Sequence, residues 1–241
     1  MRHLACDLHL HSCLSPCGDD SMTPAAAAGM EKLAGVDAAA LTDHNTTRNC
    51  PAFFKACDAY GVSPLAGMEL TTAEDIHLIC LFLTCEDAAA FEEAAGEYRV
   101  HIKNKPGIFG NQLIMNEEDE VIGEEPDLLP NALRLDIVSA FELAEKMGGV
   151  CYPAHVDRMS NGIIAALGTF PEHPKFRAAE FRDPANVPEY LEKYTNLQNM
   201  RIIYGSDSHR LEDIPEEAEF FLDTDEGGTP AEAVFRFLKG E

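Results

Sequence analysis

A chain of 241 residues is long enough to bury the core of an α/β barrel, and 46% hydrophobic with 25% charged residues is the balance of a water-soluble globular protein. Its 42 acidic and 18 basic residues give a formal net charge of −24, which repels polyanions, so neither long nucleic acid nor an anionic membrane surface is expected as a partner. The strand-length stretches 36–41, interrupted by Asp37, and 78–83 fall far short of the roughly 20 residues of a membrane helix, and the first residues carry no secretory signal, so a cytoplasmic location is expected.

The first expected strand is the extended run 3–10. Thr23-Pro24 is a cap and first-turn pair that opens an alanine-rich helix ending near Gly35. Residues 36–42 read as a buried strand, 52–60 as a helix stopped by Gly61, and 62–68 as a third strand. A fourth strand is expected at 76–83, with a helix over 86–98 after it.

Residues 99–130 break the rhythm and read as an inserted loop with a hairpin, 112–115 against 121–123. The acidic run Glu117-Glu118-Asp119-Glu120 lacks the alternate spacing and central glycine of a calcium loop, and reads as a solvated turn. The alternation resumes with a helix around 136–147, stopped by Gly148-Gly149, and a strand at 150–153. Strands at 178–181 and 201–204 flank a helix around 187–194, and Thr229-Pro230 opens a terminal helix.

Strands alternating with helices predict a mostly parallel sheet with helices outside it. Seven strands fit a closed or nearly closed α/β barrel in one domain over 1–241. Eight cysteines are read as reduced thiols, because a chain of this size needs no staples and Cys80, Cys85 and Cys151 lie in apolar settings. Cys13 and Cys17 stand close to the first histidine pair, but their spacing matches no zinc-ribbon pattern, which makes a metal or redox role the lesser reading.

The polar residues follow the strand ends. His9 and His11 end the first strand, His44 follows the second, Glu69 the third, His155 the fifth, and Asp207 with His209 the seventh. In a parallel barrel those ends share one mouth, so residues scattered along the chain converge there. His77 is the exception, since it stands at the beginning of its run. Residues two apart on a strand face the same way, so His9 and His11 can grip one ion, and a carboxylate such as Glu69 can bridge two. Imidazole nitrogen and carboxylate oxygen together propose a multi-metal centre. His3, His101 and His173 lack such a setting and are read as bystanders. Ser206 or Ser208 with His209 would suit a nucleophile, but no oxyanion motif accompanies them.

The series His9-x-His11, Asp19, Thr42-Asp43-His44, Glu69, His77, Pro153-Ala154-His155 and Gly205-Ser206-Asp207-Ser208-His209 resembles the PHP family, the polymerase and histidinol phosphatase superfamily of metal-dependent phosphoesterases. The resemblance implies a distorted (β/α)7 TIM-like barrel with two to three divalent metal ions (Mn, Fe or Zn) at its mouth. It implies one ion on His9, His11, Glu69 and Asp207, a second on Glu69, His77 and His155, and a third on Asp19, His44 and His209. Family members commonly carry Asp-Gly at the carboxylate of the first motif, where this chain reads Cys17-Gly18-Asp19-Asp20; counting back from Thr23-Pro24 favours Asp19, with Asp20 its rival.

Asp43 is expected to orient a neighbouring ligand or backbone group, and the 99–130 insertion to cover the mouth. Arg158 and Arg210, with Arg182 as a further candidate, are the cations best placed for phosphate. The expected reaction is hydrolysis of a small-molecule phosphoester, monoester or diester, by a metal-activated hydroxide. Cleavage of a C–N or C–O bond, or a non-catalytic metal-bound module serving a partner, are the alternatives.

Overall fold

The computed structural model describes residues 1–225 and 227–240. In chain order the elements are β1 (Arg2–Leu10), α1 (Pro24–Leu33), β2 (Ala38–Leu41), α2 (Cys50–Tyr60), β3 (Ser63–Thr71), β4 (His77–Phe82), α3 (Cys85–Gly96) and α4 (Pro106–Phe109). They continue with β5 (Leu113–Met115), β6 (Val121–Glu124), α5 (Ile137–Lys146), β7 (Val150–Pro153), α6 (Ile163–Leu167), β8 (Ala178–Phe181), α7 (Val187–Lys193), β9 (Arg201–Tyr204), β10 (Phe220–Thr224) and α8 (Pro230–Lys239). Local chemistry sets several bounds. Thr23 accepts from the Ala26 amide to start α1, Gly61 ends α2 at φ 73°, and Thr229 with Glu232 forms a reciprocal capping box on α8.

Six strands form one sheet in the order β10-β1-β2-β3-β4-β7. β1, β2 and β3 run parallel, whereas β4 is antiparallel to both β3 and β7, and β10 is antiparallel to β1. The architecture is mixed α/β with a curled half-barrel sheet, in which β4 and β10 run antiparallel to their neighbours where a mostly parallel sheet was expected. The reversal of β4 follows from chain length. The link from Thr71 to His77 is a tight turn, with Asp75 at φ 63°, and a parallel return needs a crossover of about a dozen residues or more.

β8 and β9 form a separate parallel pair. At their carboxyl ends they are tied to the main sheet: Val156 N donates to Glu180 O at 2.8 Å, Asp207 N to His9 O at 2.9 Å, and His11 N to Ser208 O at 3.1 Å. The 99–130 insertion contains the expected hairpin, β5 against β6.

Two apolar clusters cover the faces of the sheet. The outer one packs Leu41, Met68, Cys80 and Phe181 against helical residues such as Phe53 and Phe91. The inner one gathers Leu4, Leu8, Leu65, Ile79, Tyr152 and Ile203 with Val234, Phe235 and Leu238 of α8. The last helix thus fills the hollow of the curl, and its Ala231 amide donates to Ser63 Oγ where β3 begins. That leaves the opposite end, where β1, β3, β7, β8 and β9 terminate, for polar groups. Among the described residues no helix is long and apolar enough to cross a membrane.

Candidate metal centre

β1 brings the first imidazoles inward through an irregularity. Its register against β2 slips between Asp7 and Leu10, so His9 faces the hollow directly after Leu8, itself part of the inner cluster. Glu69 ends the inner face of β3. His77 opens β4, and because β4 runs backwards its beginning lies at the same rim, paired with Thr71. The antiparallel strand therefore accounts for the one histidine whose position in sequence broke the pattern.

Glu69 is 1% exposed and sits within reach of five imidazoles. Its oxygens lie 2.7 Å from His77 Nδ1, 2.9 Å from His44 Nδ1, 3.0 Å from His155 Nε2 and 3.4 Å from both His9 Nε2 and His11 Nε2. Asp207 Oδ1 stands 3.4 Å from the same two Nε2 atoms. Among the described residues, donor atoms lie within 4.8 Å of one another in His9, His11, Glu69; in His44, Glu69, His77; and in His11, His44, His209. His155 at φ 27° and Asp207 at φ 50° hold backbone conformations unfavourable to side-chain-bearing residues, which places strain at the centre itself.

The surrounding hydrogen bonds fix which nitrogens point inward. Glu180 accepts from His9 Nδ1 at 2.9 Å, leaving Nε2 with its lone pair toward the centre. Ser15 has one hydroxyl proton and gives it to Asp43 Oδ1 at 2.7 Å. Its oxygen therefore accepts at 2.9 Å from His11 Nδ1, which again turns Nε2 inward. His209 Nδ1 donates to the Asp207 carbonyl at 2.8 Å, so its Nε2 is free as well. His9 Nε2 and His11 Nε2 stand 3.2 Å apart with carboxylates on either side. Two lone pairs so placed require a cation between them, and the donor set suits a divalent transition metal.

Without metal, protons serve as that cation. Burial opposes charge on His9, but Glu180, Asp207 and Glu69 overcome it and hold the imidazole well above its ordinary range. Burial likewise opposes charge on His11 and His44, yet Asp207 and Glu69 beside His11, and Glu69 and Cys17 beside His44, push both up to about 9. Glu69 is raised by burial and lowered more strongly by His77, His9 and His44, ending well below the carboxylate range. Burial and the charge of His11 push His209 down to about 3.

A cavity of ≈ 390 Å³ opens over this cluster, lined by Cys17, His44, Glu69, His77, Arg158, Asp207 and His209, with Pro130 of the insertion at its edge. Arg158 Nη1 donates to Asp207 Oδ2 at 2.7 Å. Arg210 is turned away, its guanidinium 3.7 Å from exposed Glu212, and Arg182 donates to the Ser206 carbonyl. Asp43 accepts from Ser12 N at 2.7 Å and Ser12 Oγ at 2.6 Å as well as from Ser15 Oγ.

The Asp19 carboxylate is exposed and accepts from Ser21 N at 2.9 Å, outside all three trios, while Asp20 accepts from Asn111 Nδ2 at 2.7 Å. Ser206 Oγ donates to His9 O rather than pairing with His209. His3 pairs with Asp223 and His101 with Asp127 at the surface, and His173 is exposed, so all three stand apart.

Glu180 and Ser15 were not anticipated. A lone carboxylate inside the apolar strand Ala178–Phe181 is a readable signal for the first; nothing in the sequence marks the second.

Residues 7–122 match the family model described as PHP domain, and no curated protein matches the sequence. Among solved structures, the chain is similar to the lesion-specific endonuclease EndoQ from Pyrococcus furiosus, at 17% identity and TM-score 0.65 over 99% of this chain and 56% of that one. A complex of Endonuclease Q with a 27-mer duplex bearing an abasic lesion gives 18% identity and TM-score 0.65, over 99% and 57%. The chain thus spans a little over half the length of those endonucleases. A proposed metal-dependent phosphoesterase from Bifidobacterium adolescentis is similar at 16% identity and TM-score 0.60, over 97% of this chain and 94% of that one. An amidohydrolase from Chromobacterium violaceum with bound sulfate gives 16% identity and TM-score 0.57, over 98% and 96%. At these identities the likeness is one of fold.

Proposed function

We propose, from the match of residues 7–122 to the PHP domain model, that the chain is a metal-dependent hydrolase that cleaves a small phosphoester at a centre of two to three divalent ions. The observation that carries this reading is the pair of inward lone pairs on His9 and His11, 3.2 Å apart and flanked by Glu69 and Asp207. We assign one ion to His9, His11, Glu69 and Asp207, a second to Glu69, His77 and His155, and a third to His44 and His209. Manganese, iron and zinc all suit mixed nitrogen and oxygen donors.

Ions bound there supply Lewis acidity and bring the pKa of water from about 15.7 toward roughly 7. The chain's own groups do the rest. Glu180 and Ser15 hold two imidazoles with Nε2 inward. Arg158 spends one of its five N–H donors on Asp207 and offers the others to phosphoryl oxygens in the cavity. Asp43 acts through Ser15, so it positions rather than reacts. The proposed unit is the whole chain over 1–241, working in the cytoplasm, where its eight cysteines stay reduced.

The cavity of ≈ 390 Å³ and the net charge of −24 favour a small anionic ester over long nucleic acid. The fold likeness to the lesion endonuclease supports a second reading, cleavage of a nucleic-acid phosphodiester. Elemental analysis of chelator-free protein, paired with phosphate release from small monoesters and diesters, tests the first. Cleavage confined to a lesion-bearing duplex would select the second, and amide hydrolysis without phosphate release would overturn both.

A further inference from the structure

We propose that Cys17 is a metal ligand, supplying a thiolate to the ion held by His44 and His209 where the sequence points to Asp19. The inference rests on the metal-centre reading above. Cys17 lines the same cavity as His44 and His209, with its side chain beside the His44 imidazole. His44 is 5% exposed, and its Nδ1 makes no hydrogen bond, because the Glu69 oxygen 2.9 Å away lies off the donor direction. His209 Nε2 is unengaged, since Nδ1 is committed to a carbonyl. Both aspartates that could have served are occupied elsewhere, Asp19 with Ser21 and Asp20 with Asn111.

The loop is built to hold the thiol there. Asp19 N donates to His209 O at 2.8 Å, and Gly18 N donates to Ser15 O at 2.8 Å. Gly18 passes so close to the chain that a Cβ would stand 2.7 Å from Ser12 O. Cys17 is thereby fastened beside the segment that carries His209. It is also the exposed member of the eight free cysteines; six others are buried and Cys85 is half-buried.

Binding through sulfur releases the thiol proton to solvent as the metal–thiolate bond forms. A soft donor beside two imidazoles selects zinc or iron over manganese. The third position thus differs in metal preference from the two built on Glu69.

The test is cobalt substitution of the full chain. Metal-free protein titrated with Co²⁺ should show visible d–d bands together with a near-ultraviolet sulfur-to-cobalt charge-transfer band. Cys17→Ser should lose the charge-transfer band, whereas Cys17→Asp should keep the cobalt stoichiometry without it. In the unaltered protein, added Zn²⁺ should protect Cys17 from Ellman's reagent. Cobalt d–d bands with no charge-transfer band, or a band that survives Cys17→Ser, would overturn the assignment and leave the metal centre standing. Failure to bind Co²⁺ at all would remove the metal centre and Cys17's role with it.

Discussion

Glu180 and His9, 171 positions apart in the chain, share a hydrogen bond of 2.9 Å in a site closed to solvent. The carboxylate also accepts from His155 N at 3.2 Å, so one side chain orients an imidazole from β1 and the loop after β7. Glu180→Gln keeps the shape but lets the amide present a donor to Nδ1. Metal affinity should fall by about 10- to 100-fold, the usual cost of losing such a partner. Unchanged affinity by isothermal titration would show that His9 needs no orienting.

Asp43 should matter more for stability than for chemistry. Asp43→Ala leaves the Ser12 amide and two buried hydroxyls without their acceptor, at about 1–3 kcal/mol for a stranded group. Denaturant midpoints should drop accordingly, and metal affinity should drop with them because Ser15 is freed to rotate. A variant as stable as its parent would contradict the role given to this carboxylate.

Arg158 should behave in the opposite way. Its side chain is 42% exposed, so removing it costs the fold little. Arg158→Ala should lower kcat/KM by about 10- to 100-fold, as loss of a charged hydrogen bond to phosphate implies, while Tm barely moves. Equal losses in both would make it a structural residue.

Metal binding should depend on pH with a definite sign. In the metal-free protein His11 and His44 are raised from the ordinary 6.5 to about 9, and a metal must displace those protons. Apparent affinity should therefore climb from pH 6.5 to about 9 and then level off. The protons' own contribution to folding runs the other way. It is complete below pH 6.5 and is lost as pH rises through about 9. The Tm gap between metal-loaded and metal-free protein should widen over that window; a constant gap would sink the idea.

Gly205 lets the chain pass close beneath the centre. A methyl there would sit 2.6 Å from His9 Cβ and 3.1 Å from Glu180 Oε2. Gly205→Ala should destabilise by about 1–3 kcal/mol and reduce bound metal, read by thermal unfolding and elemental analysis. Wild-type values for both would mean the backbone can yield.

Much of this was legible in the chain because strand ends carry both geometry and chemistry. His9, His11, Glu69, His155 and Asp207 each followed an apolar run, and all five meet in one cluster. The turn after Thr71 went unread, although it is far too short for a parallel crossover, and His77 belongs to the rim only through that reversal. β10 escaped notice although Phe220, Leu222 and Thr224 alternate in burial with Phe221 and Asp223, because the alternation is brief and follows an acidic stretch. The tandem of Ser15 behind His11 was beyond reach, since a loop serine has no periodicity to betray it. Arg210 lies toward Glu212, and adjacency to His209 says nothing of which way a long side chain turns.

The helix lodged in the hollow makes the chamber blind, and a blind chamber has a single doorway. Whatever leaves must retreat along the path by which its successor arrives, so spent product and fresh reactant contend for passage.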